Sequence, residues 1–344
     1  MKQKIFIFLS LFILIVSIPI VVSSTHLKNV NIKFDSLKGL FLKLKEKDNI
    51  DVFSKNVETL NNDYFRIYDK STNQVINISY KDFLCRTVAC EMEPTDNVEA
   101  LKAQIVASYT YFCNIKSKNE KNKDNSNNAD FAVESSNRVY YIDEDQLKKR
   151  WGTNFDQYQE KLMNCVNSVY KEALKKDGKY IEALYHSISS GNTENNSDVF
   201  GGTCECLVSV ASPFDKLSPG YKSQKIFKKD EFDKLLLERF NDIKISEKFG
   251  SDIEVKDRTE TGMVKLIKIY NKEITGREAR NIFGLRSSNF DIEFNGDQII
   301  FNVYGYGHGV GMSQYGAKSM AGQGADYKEI LAWYYKGAEI VKDC

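Results

Sequence analysis

The sequence predicts an α+β fold, preceded by one transmembrane helix at the N-terminus. Residues 100–113 place apolar side chains at helical spacing, whereas residues 298–303 alternate apolar and polar side chains like a half-buried strand. Helical and strand-like segments follow one another without a regular strand–helix–strand repeat, which favours α+β over α/β. A chain of 344 residues is long enough to bury a sizeable core and to form two lobes.

The N-terminus carries eighteen uncharged, mostly apolar residues, 5–22, after Lys2 and Lys4. That run is near the minimum length for a membrane span and exceeds the usual apolar core of a signal peptide. We therefore expect residues 1–24 to be an uncleaved signal anchor, with a cleaved signal peptide as the alternative. The two lysines would stay in the cytoplasm, which puts the rest of the chain outside the cell membrane.

Residues 25–74 are mixed and charged, and we expect them to form a membrane-proximal region before the main domain, residues 75–344. The helix predicted over 100–113 follows residues 96–99, whose Asp-x-x-Glu spacing resembles a capping box. Residues 114–130 are too polar to bury anything, so they predict a disordered surface insertion.

A second helical stretch is expected over 145–176, with an interruption near Gly152. A short amphipathic helix is expected over 327–335. Strand-like segments are predicted at 180–188, 206–211, 264–270, 282–292 and 298–303.

Charge and cysteine usage limit the possible functions. Charged residues make up 28% of the chain and the net charge is +1, which argues against a nucleic-acid-binding surface.

Seven scattered cysteines, an odd number in a large chain, do not indicate a disulfide framework. Cys204 and Cys206, with His186 upstream, could be imagined as a metal site, but their spacing is not a standard zinc pattern. We expect neither a metal nor a cofactor.

The most informative stretch is residues 305–317, which pack five glycines around His308. Glycine removes side-chain bulk and permits backbone angles that are closed to other residues, so a ligand can approach the main chain closely. The stretch contains no lysine and no carboxylate, which makes it a poor cradle for phosphate and a poor cation site. It suits a large neutral polar ligand such as a sugar. The alternative is a glycine-rich turn between two strands.

Glu91 is the candidate general acid. It ends the apolar run of residues 88–90 and precedes a helix entry marked by Pro94. A carboxyl half buried there would have its charged form disfavoured and its pKa raised, as a general acid requires. The alternative is a solvated glutamate at a helix end, which is the commoner fate of such a residue.

Four separated motifs, in order, resemble the stage II sporulation protein D family over about residues 75–344. They are VACEMEP and EALKAQIVA within 88–107, YHSISSGNTE at 185–194, SVASPFD at 209–215, and the C-terminal segments 276–287 and 305–317 with Tyr334-Tyr335 behind them. The resemblance implies a two-lobed catalytic domain with a central cleft, acting as a peptidoglycan lytic transglycosylase during engulfment of the forespore.

The resemblance also implies substrate, partners and location. The substrate would be glycan strands that an amidase has stripped of their stem peptides. A membrane-anchored cell-wall amidase and a bridging membrane protein are the implied partners, in the space between the mother-cell and forespore membranes. Glu91 occupies the position of the glutamate in the family's Glu-Met-Pro motif. It would protonate the oxygen between N-acetylmuramic acid and N-acetylglucosamine, then take a proton from the sugar's 6-hydroxyl to close a 1,6-anhydro ring.

The resemblance places further polar residues along the sugar cleft. For the two histidines, the alternative is that they only hold loops together through hydrogen bonds. For the lysine, the alternative is a solvated helix face. The candidate substrate-binding residues are Lys102, Tyr109, His186, Ser187, Thr193, Glu194, His308, Ser313, Gln314 and Tyr315.

The chain departs from the family pattern at several positions. Tyr109 replaces an arginine, Cys206 replaces a tyrosine, and Glu93 adds a carboxylate before the proline of the Glu-Met-Pro motif. Loss of a planar cation with five donors is not conservative. Ala132, Asn137 and Arg138 stand where some relatives carry a zinc-binding cluster, so no zinc is expected there.

These departures leave two alternatives to turnover by ring closure. One is a catalytically impaired glycan-binding scaffold, or a module that stimulates an amidase. The other is a plain hydrolase that uses Glu91 and Glu194 as an acid/base pair.

Overall fold

The computed structural model describes residues 63–122 and 128–343. The anchor expected at 1–24 and most of the region expected at 25–74 lie outside the described residues. Within the described ranges, no helix combines the length and the apolar character that crossing a bilayer would take.

Helices and short strands are mixed along the chain, as the α+β prediction requires. The helices are α1 (Tyr80–Glu91), α2 (Val98–Asn122), α3 (Glu144–Trp151), α4 (Phe155–Ser168), α5 (Asn196–Val199), α6 (Lys229–Arg239), α7 (Gly276–Ile282), α8 (Gln314–Gly322) and α9 (Tyr327–Tyr334). Short 3-10 helices lie at Gly152–Asn154 and Pro213–Leu217.

The strands form several small sheets. They are β1 (Tyr64–Asp69), β2 (Gln74–Ser79), β3 (Phe131–Val133), β4 (Glu172–Lys176), β5 (Lys179–Tyr180), β6 (Tyr185–His186), β7 (Lys222–Lys228), β8 (Ile253–Arg258), β9 (Val264–Ile269), β10 (Lys272–Thr275), β11 (Phe290–Asn295), β12 (Gln298–Tyr304), β13 (Met312–Ser313) and β14 (Glu339–Lys342). Their orders are β2-β1-β3, β14-β4-β5, β11-β12-β7, β10-β9-β8 and β13-β6. The β1–β3 and β6–β13 pairs are parallel and the others antiparallel.

Two separate hydrophobic clusters hold the described residues together. In the first, α1, α2 and α4 pack with the β1 and β4 sheets, and the rings of Phe83 and Phe112 meet edge to face with centroids 4.8 Å apart. In the second, α6 and α7 cover the β7–β12 and β8–β10 sheets, and Phe232 stacks on Phe283 with centroids 4.8 Å apart. Each cluster is therefore organised around interlocked aromatic rings, which contribute packing energy beyond the area that they bury.

Helix α1 is defined at both ends by its own sequence. At its start, the Ser79 hydroxyl accepts a hydrogen bond from the Asp82 amide at 3.1 Å, as an N-cap residue does. At its end, Met92 is extended and Pro94 follows, which prevents another helical turn. Glu91 is consequently the last helical residue.

Helix α2 is longer than the sequence predicted and starts differently. Residues 114–122, expected to be disordered, continue the helix, because Asn114 and Asn119 donate to the carbonyl oxygens of Tyr180 and Asp130, each at 2.7 Å. Polar residues that bury little can still be ordered by such bonds.

The predicted capping box is also wrong. Asn97 caps the helix instead, accepting from the Glu99 amide at 2.9 Å. The Glu99 carboxylate binds Lys102 and the backbone N–H of Tyr327, so it is not available to close a box.

Other elements differ from the expectations in instructive ways. The stretch 145–176 breaks at Gly152 as predicted, but its last five residues form β4 because they pair with β14 at the end of the chain. The strand expected over 206–211 is replaced by a single bridge between Ala211 and Asn192. The region 282–292 begins at the end of α7 and becomes a strand only at Phe290. The strands expected over 264–270 and 298–303 and the helix expected over 327–335 are confirmed.

Candidate active site

Glu91 meets Gln314 at the junction of two helix ends. One Glu91 carboxyl oxygen accepts a hydrogen bond from the Gln314 side-chain amide at 3.2 Å. Gln314 is the first residue of α8, and the Ser313 hydroxyl caps that helix by accepting from the Gly316 amide at 3.1 Å. The cap therefore fixes where Gln314 stands relative to the end of α1.

The surroundings of Glu91 favour its protonated form. Burial raises the pKa of the Glu91 carboxyl, and contacts with Gln314 and Tyr185 oppose that rise only in part. The carboxyl also ends α1, where the helix dipole is negative and disfavours an added negative charge. Glu91 thus keeps its proton to a higher pH than a free glutamate, in line with the direction expected from its sequence position.

A polar row on α2 continues the site. Gln104, which is 0% exposed, accepts from the Gln314 amide at 3.3 Å and donates to the Ser108 hydroxyl at 3.1 Å. Since Gln104 and Ser108 are four residues apart on one helix, they share a face. The hydrogen bonds run from Glu91 through Gln314 and Gln104 to Ser108, so the orientation of the acid is set by buried side chains.

Tyr185, on β6, adds a further polar side chain beside Glu91 and Ser108. Its hydroxyl lies beside Glu91 and Ser108, and its oxygen is buried. In the described part of the chain, no group meets the full geometry of a hydrogen bond to it. The contact with Glu91 nevertheless lowers the pKa of that carboxyl, so Tyr185 acts on it in the same direction as Gln314.

Sequence reasoning missed Gln104, Ser108 and Tyr185. The sequence does contain a signal for Gln104 and Ser108, because they are polar residues four positions apart within an otherwise apolar helix. Tyr185 was part of a quoted motif, but the alternation of side chains along a strand decides which residue faces the acid. The structure shows that Tyr185, rather than its neighbour His186, is the one beside Glu91.

The glycines of 305–317 serve close packing of the chain on itself. Gly311 has φ +74°, and a Cβ there would lie 2.0 Å from the Leu184 carbonyl oxygen. A Cβ on Gly316 would lie 1.9 Å from the Tyr334 hydroxyl. The segment can therefore run against its neighbours, and this brings β13 beside β6 and Gln314 to Glu91. The stretch is neither a plain turn between two strands nor an open loop.

The two histidines hydrogen-bond to backbone on either side of Val310. The carbonyl of Val310 accepts from Nδ1 of His186 at 3.1 Å, and its amide donates to Nδ1 of His308 at 3.1 Å. Burial lowers the pKa of His186 to about 3 and that of His308 to about 4, so both rings are neutral. These bonds favour the interpretation in which the histidines hold loops together.

Thr193 and Glu194 also brace loops. The Thr193 hydroxyl accepts from the Val210 amide at 2.9 Å. Glu194 is 1% exposed and its carboxyl accepts from the Thr261 hydroxyl, while burial raises its pKa. That bond engages one carboxyl oxygen at the turn between β8 and β9, while the other oxygen is buried without a hydrogen-bond partner in the described part of the chain.

Ser187 and Tyr315 are brought to the site through their backbones. The Tyr315 amide donates to the Ser187 carbonyl at 3.0 Å, next to Gln314, and both residues are partly exposed.

The structure does not bring Lys102 or Tyr109 to Glu91. Lys102 forms an ion pair with Glu99 at 2.8 Å. Tyr109 is 3% exposed and its hydroxyl donates to Asp343 at 3.3 Å. Both project from faces of α2 other than the Gln104 face, so the exchange of arginine for tyrosine at 109 leaves the surroundings of the acid unchanged.

The other departures from the family pattern have surroundings of their own. Glu93 forms an ion pair with Arg150 at 2.6 Å, and Cys206 is 2% exposed within the first hydrophobic cluster. Across residues 63–122 and 128–343, no three His, Cys, Asp or Glu side chains are grouped as metal ligands.

Comparisons with known proteins agree with the motifs. A family model for stage II sporulation protein matches residues 68–175. The chain is 34% identical over 291 residues to stage II sporulation protein D of Bacillus subtilis (strain 168), covering 83% of this chain and 82% of that protein. It is also 34% identical over 276 residues to the protein of the same name from Bacillus amyloliquefaciens, covering 80% and 77%.

A third similarity is local. Over 86 residues the chain is 35% identical to a Bacillus subtilis protein called amidase enhancer, which covers 24% of this chain and 12% of that protein. The two similarities to stage II sporulation protein D, by contrast, cover at least 80% of this chain and 77% of each relative. The chain therefore belongs to the stage II sporulation protein D family.

Proposed function

We propose that this protein is a lytic transglycosylase that cleaves peptidoglycan glycan strands during sporulation, with Glu91 as both acid and base. The setting of Glu91 is the observation that supports this most. Burial raises the pKa of that carboxyl, and the side chain that hydrogen-bonds to it, Gln314, is neutral. A carboxyl that stays protonated beside an uncharged donor is suited to give a proton to a leaving oxygen.

The reaction needs few groups. Glu91 gives its proton to the oxygen between N-acetylmuramic acid and N-acetylglucosamine as the bond from that oxygen to the muramic C1 breaks. The positive charge that develops at C1 is balanced by the new Glu91 carboxylate. That carboxylate then takes the proton of the muramic 6-hydroxyl, whose oxygen closes on C1 as a 1,6-anhydro ring. Glu91 ends protonated, so one carboxyl completes the cycle.

Gln314 and Tyr185 both act on Glu91 in this scheme. The Gln314 amide, held by its own bond to Gln104, orients the acid and stabilises the carboxylate that forms after the first proton transfer. The Tyr185 hydroxyl, buried beside Glu91, lowers the pKa of that carboxyl through its contact and so also stabilises the carboxylate.

The placement of Glu194 supports ring closure over hydrolysis. Two-carboxylate glycosidases set both groups at one glycosidic bond, one of them to activate water or attack the sugar. Here the Glu194 carboxyl accepts from Thr261, at the turn between β8 and β9. Because Glu194 is 1% exposed, the sugar's own 6-hydroxyl is the nucleophile that this site favours.

A module that stimulates an amidase is the second candidate. The local similarity to an amidase enhancer favours it. The departures at Tyr109, Cys206 and Glu93 were the reason to expect lost turnover. Tyr109 bonds Asp343, Cys206 is buried and Glu93 pairs with Arg150, which weakens this candidate.

Substrate, partners and location complete the proposal. The substrate is glycan already stripped of stem peptides, threaded through a cleft between two lobes built on the two hydrophobic clusters. A membrane-anchored cell-wall amidase supplies that glycan, and a bridging membrane protein connects the two. The chain is anchored by residues 1–24 in the membrane between mother cell and forespore, with its folded part on the outer side.

The test is product analysis. Full-length protein and its Glu91→Gln variant are incubated with peptide-free glycan strands, and the ends formed are identified by mass spectrometry. We expect 1,6-anhydro ends that appear only with the unaltered carboxyl. Equal product from both proteins would reject Glu91 as the acid, whereas raised activity of an added amidase without any cleavage would favour the second candidate.

A further inference from the structure

A second feature of the surface combines cations with exposed aromatic rings. The Arg277 guanidinium lies 5.6 Å from the ring centroid of Phe200, and the Arg286 guanidinium lies 4.3 Å from that of Tyr306. Phe200 and Tyr306 are each 44% exposed. Arg280 interacts electrostatically with Tyr306. We call these five residues the arginine–aromatic arc.

The arc is continuous rather than two isolated pairs. The His308 ring lies 5.3 Å from Phe200, with the two rings edge to face, and the charge of Arg280 contributes to the lowered pKa of His308. His308 thereby joins the Phe200 end of the arc to the Tyr306 end. Since Tyr306 and His308 both belong to 305–317, the arc is built on the same segment that carries Gln314.

Within residues 63–122 and 128–343, none of the three arginines of the arc forms an ion pair. The arginines that form ion pairs in the described ranges are Arg86, Arg150 and Arg258. Arg280 uses its Nε to donate to the Leu285 carbonyl at 3.3 Å, and burial lowers its pKa. Glu278, next to Arg277, accepts from Thr275 at the start of α7, and the Arg277 charge contributes to its lowered pKa. Arg277 is exposed, whereas Arg280 and Arg286 are partly buried. A partly buried guanidinium that forms no ion pair is stabilised by an anionic ligand.

The chemistry of the arc specifies the ligand. A guanidinium fork matches the two oxygens of a carboxylate. Exposed aromatic faces offer flat apolar area of the kind that sugar rings cover. The whole chain has a net charge of only +1, so general attraction to polyanions is weak. Together these features favour a saccharide that carries carboxylates.

We propose that the arginine–aromatic arc binds the free lactyl carboxylates of muramic acid, and so selects glycan strands from which stem peptides have been removed. The inference rests on the proposed function and assigns specificity within it. A stem peptide is attached through an amide to that carboxyl, so its removal creates the charge that the arc would bind. A strand that still carries peptides presents a neutral amide instead.

The arginine–aromatic arc is placed to bind a glycan strand that also reaches Glu91. The backbones of Tyr306 and Ile188 exchange hydrogen bonds at 2.7 and 3.0 Å. Ile188 follows Tyr185, the residue beside Glu91, by three positions, or about 10 Å of extended chain. One glycan strand can therefore contact both the arginine–aromatic arc and Glu91.

Binding, measured without turnover, tests the proposal. Full-length protein carrying Glu91→Gln is titrated with peptide-free glycan, and in parallel with the same glycan after its carboxyls are converted to methylamides. We expect the free-carboxylate strands to bind at least about tenfold more tightly. Adding Arg286→Gln or Arg277→Gln should remove most of that difference and leave the affinity for amidated glycan unchanged.

Arg66→Gln is the matched control, because Arg66 is an exposed arginine on β1 that forms no ion pair within the described part of the chain. Equal affinity for free and amidated strands, or an unchanged preference in both arc variants, would overturn the proposal while leaving the role of Glu91 intact. Displacement of the glycan by a polyphosphate at equal charge concentration would also overturn it, in favour of general anion binding. No binding to either glycan would refute the proposed function itself. Thermal melting of each variant confirms that it is folded.

Discussion

Replacing Gln314 with alanine should shift the pH dependence of cleavage upwards. The Gln314 amide stabilises the ionised form of Glu91 through a hydrogen bond of 3.2 Å, and this contact lowers the pKa of Glu91 against the effect of burial. A hydrogen bond to a charged group contributes about 1.5–3 kcal/mol, and the length of this one places it near the lower figure. Its loss leaves burial opposed only by the contact with Tyr185, so Glu91 holds its proton to a higher pH.

The assay is the pH profile of kcat/KM on peptide-free glycan, whose alkaline limb reports the acid in the free enzyme. In Gln314→Ala we expect that limb to move to higher pH. The rate at its plateau should fall about tenfold, because the carboxylate formed after proton transfer loses its donor. Gln323→Ala, at the exposed end of the same helix, is the matched control and should leave the profile unchanged. An alkaline limb that stays in place or moves down in pH would refute the reasoning.

Three further predictions concern the surroundings of the acid. Tyr185→Phe should lower kcat about tenfold, because the Glu91 carboxylate loses the contact that the Tyr185 hydroxyl makes with it; an unchanged kcat would contradict its role. Gly311→Ala should destabilise by about 3 kcal/mol or more, measured by urea unfolding, because its Cβ meets the Leu184 carbonyl. Gly296→Ala has a similar positive φ and open space, so it should cost less, and equal losses would count against the packing argument. Glu194→Gln should raise the melting temperature by a few degrees at neutral pH.

The sign of the Glu194 prediction follows from its pKa. Burial raises the folded-state pKa above the unfolded value, so the unfolded chain releases this proton more readily as the pH rises. The carboxyl therefore favours the folded state most below the unfolded pKa, and that contribution is lost as the pH rises through the folded pKa. Glutamine cannot ionise, so the gain should be present at neutral pH and vanish in acid. An increase in melting temperature that persists in acid would point to a cause other than the ionisation of Glu194.

Local sequence signals predicted the parts of the fold that depend on local physics. The alternation at 298–303 and the apolar spacing after residue 98 were enough to identify β12 and α2. Glu91 could be singled out because Pro94 marks the end of its apolar stretch. Strand β4 could not be predicted, because residues 172–176 become a strand by pairing with 339–342, far away in the chain.

In the candidate site, too, local sequence signals identified some residues, and others are brought together only by tertiary contacts. Gln314 was named as a substrate-binding candidate, but its bond to Glu91 joins residues 223 positions apart and no spacing rule predicts it. Gln104 and Ser108 were missed, since polar residues on a helix are ordinarily solvated, and here tertiary packing buries them. Lys102 and Tyr109 were named from the motif alone, although the helical rotation between them and Gln104 turns both away from the acid.

The most direct test of the central claim is a titration of Glu91 itself. Full-length protein, selectively labelled with ¹³C at the glutamate carboxyls, is titrated by NMR, and the Glu91 signal is assigned from its absence in Glu91→Gln. The account predicts that this carboxyl titrates clearly above the exposed glutamates of the same molecule, and higher still in Gln314→Ala. A Glu91 signal that titrates together with the exposed glutamates would contradict it.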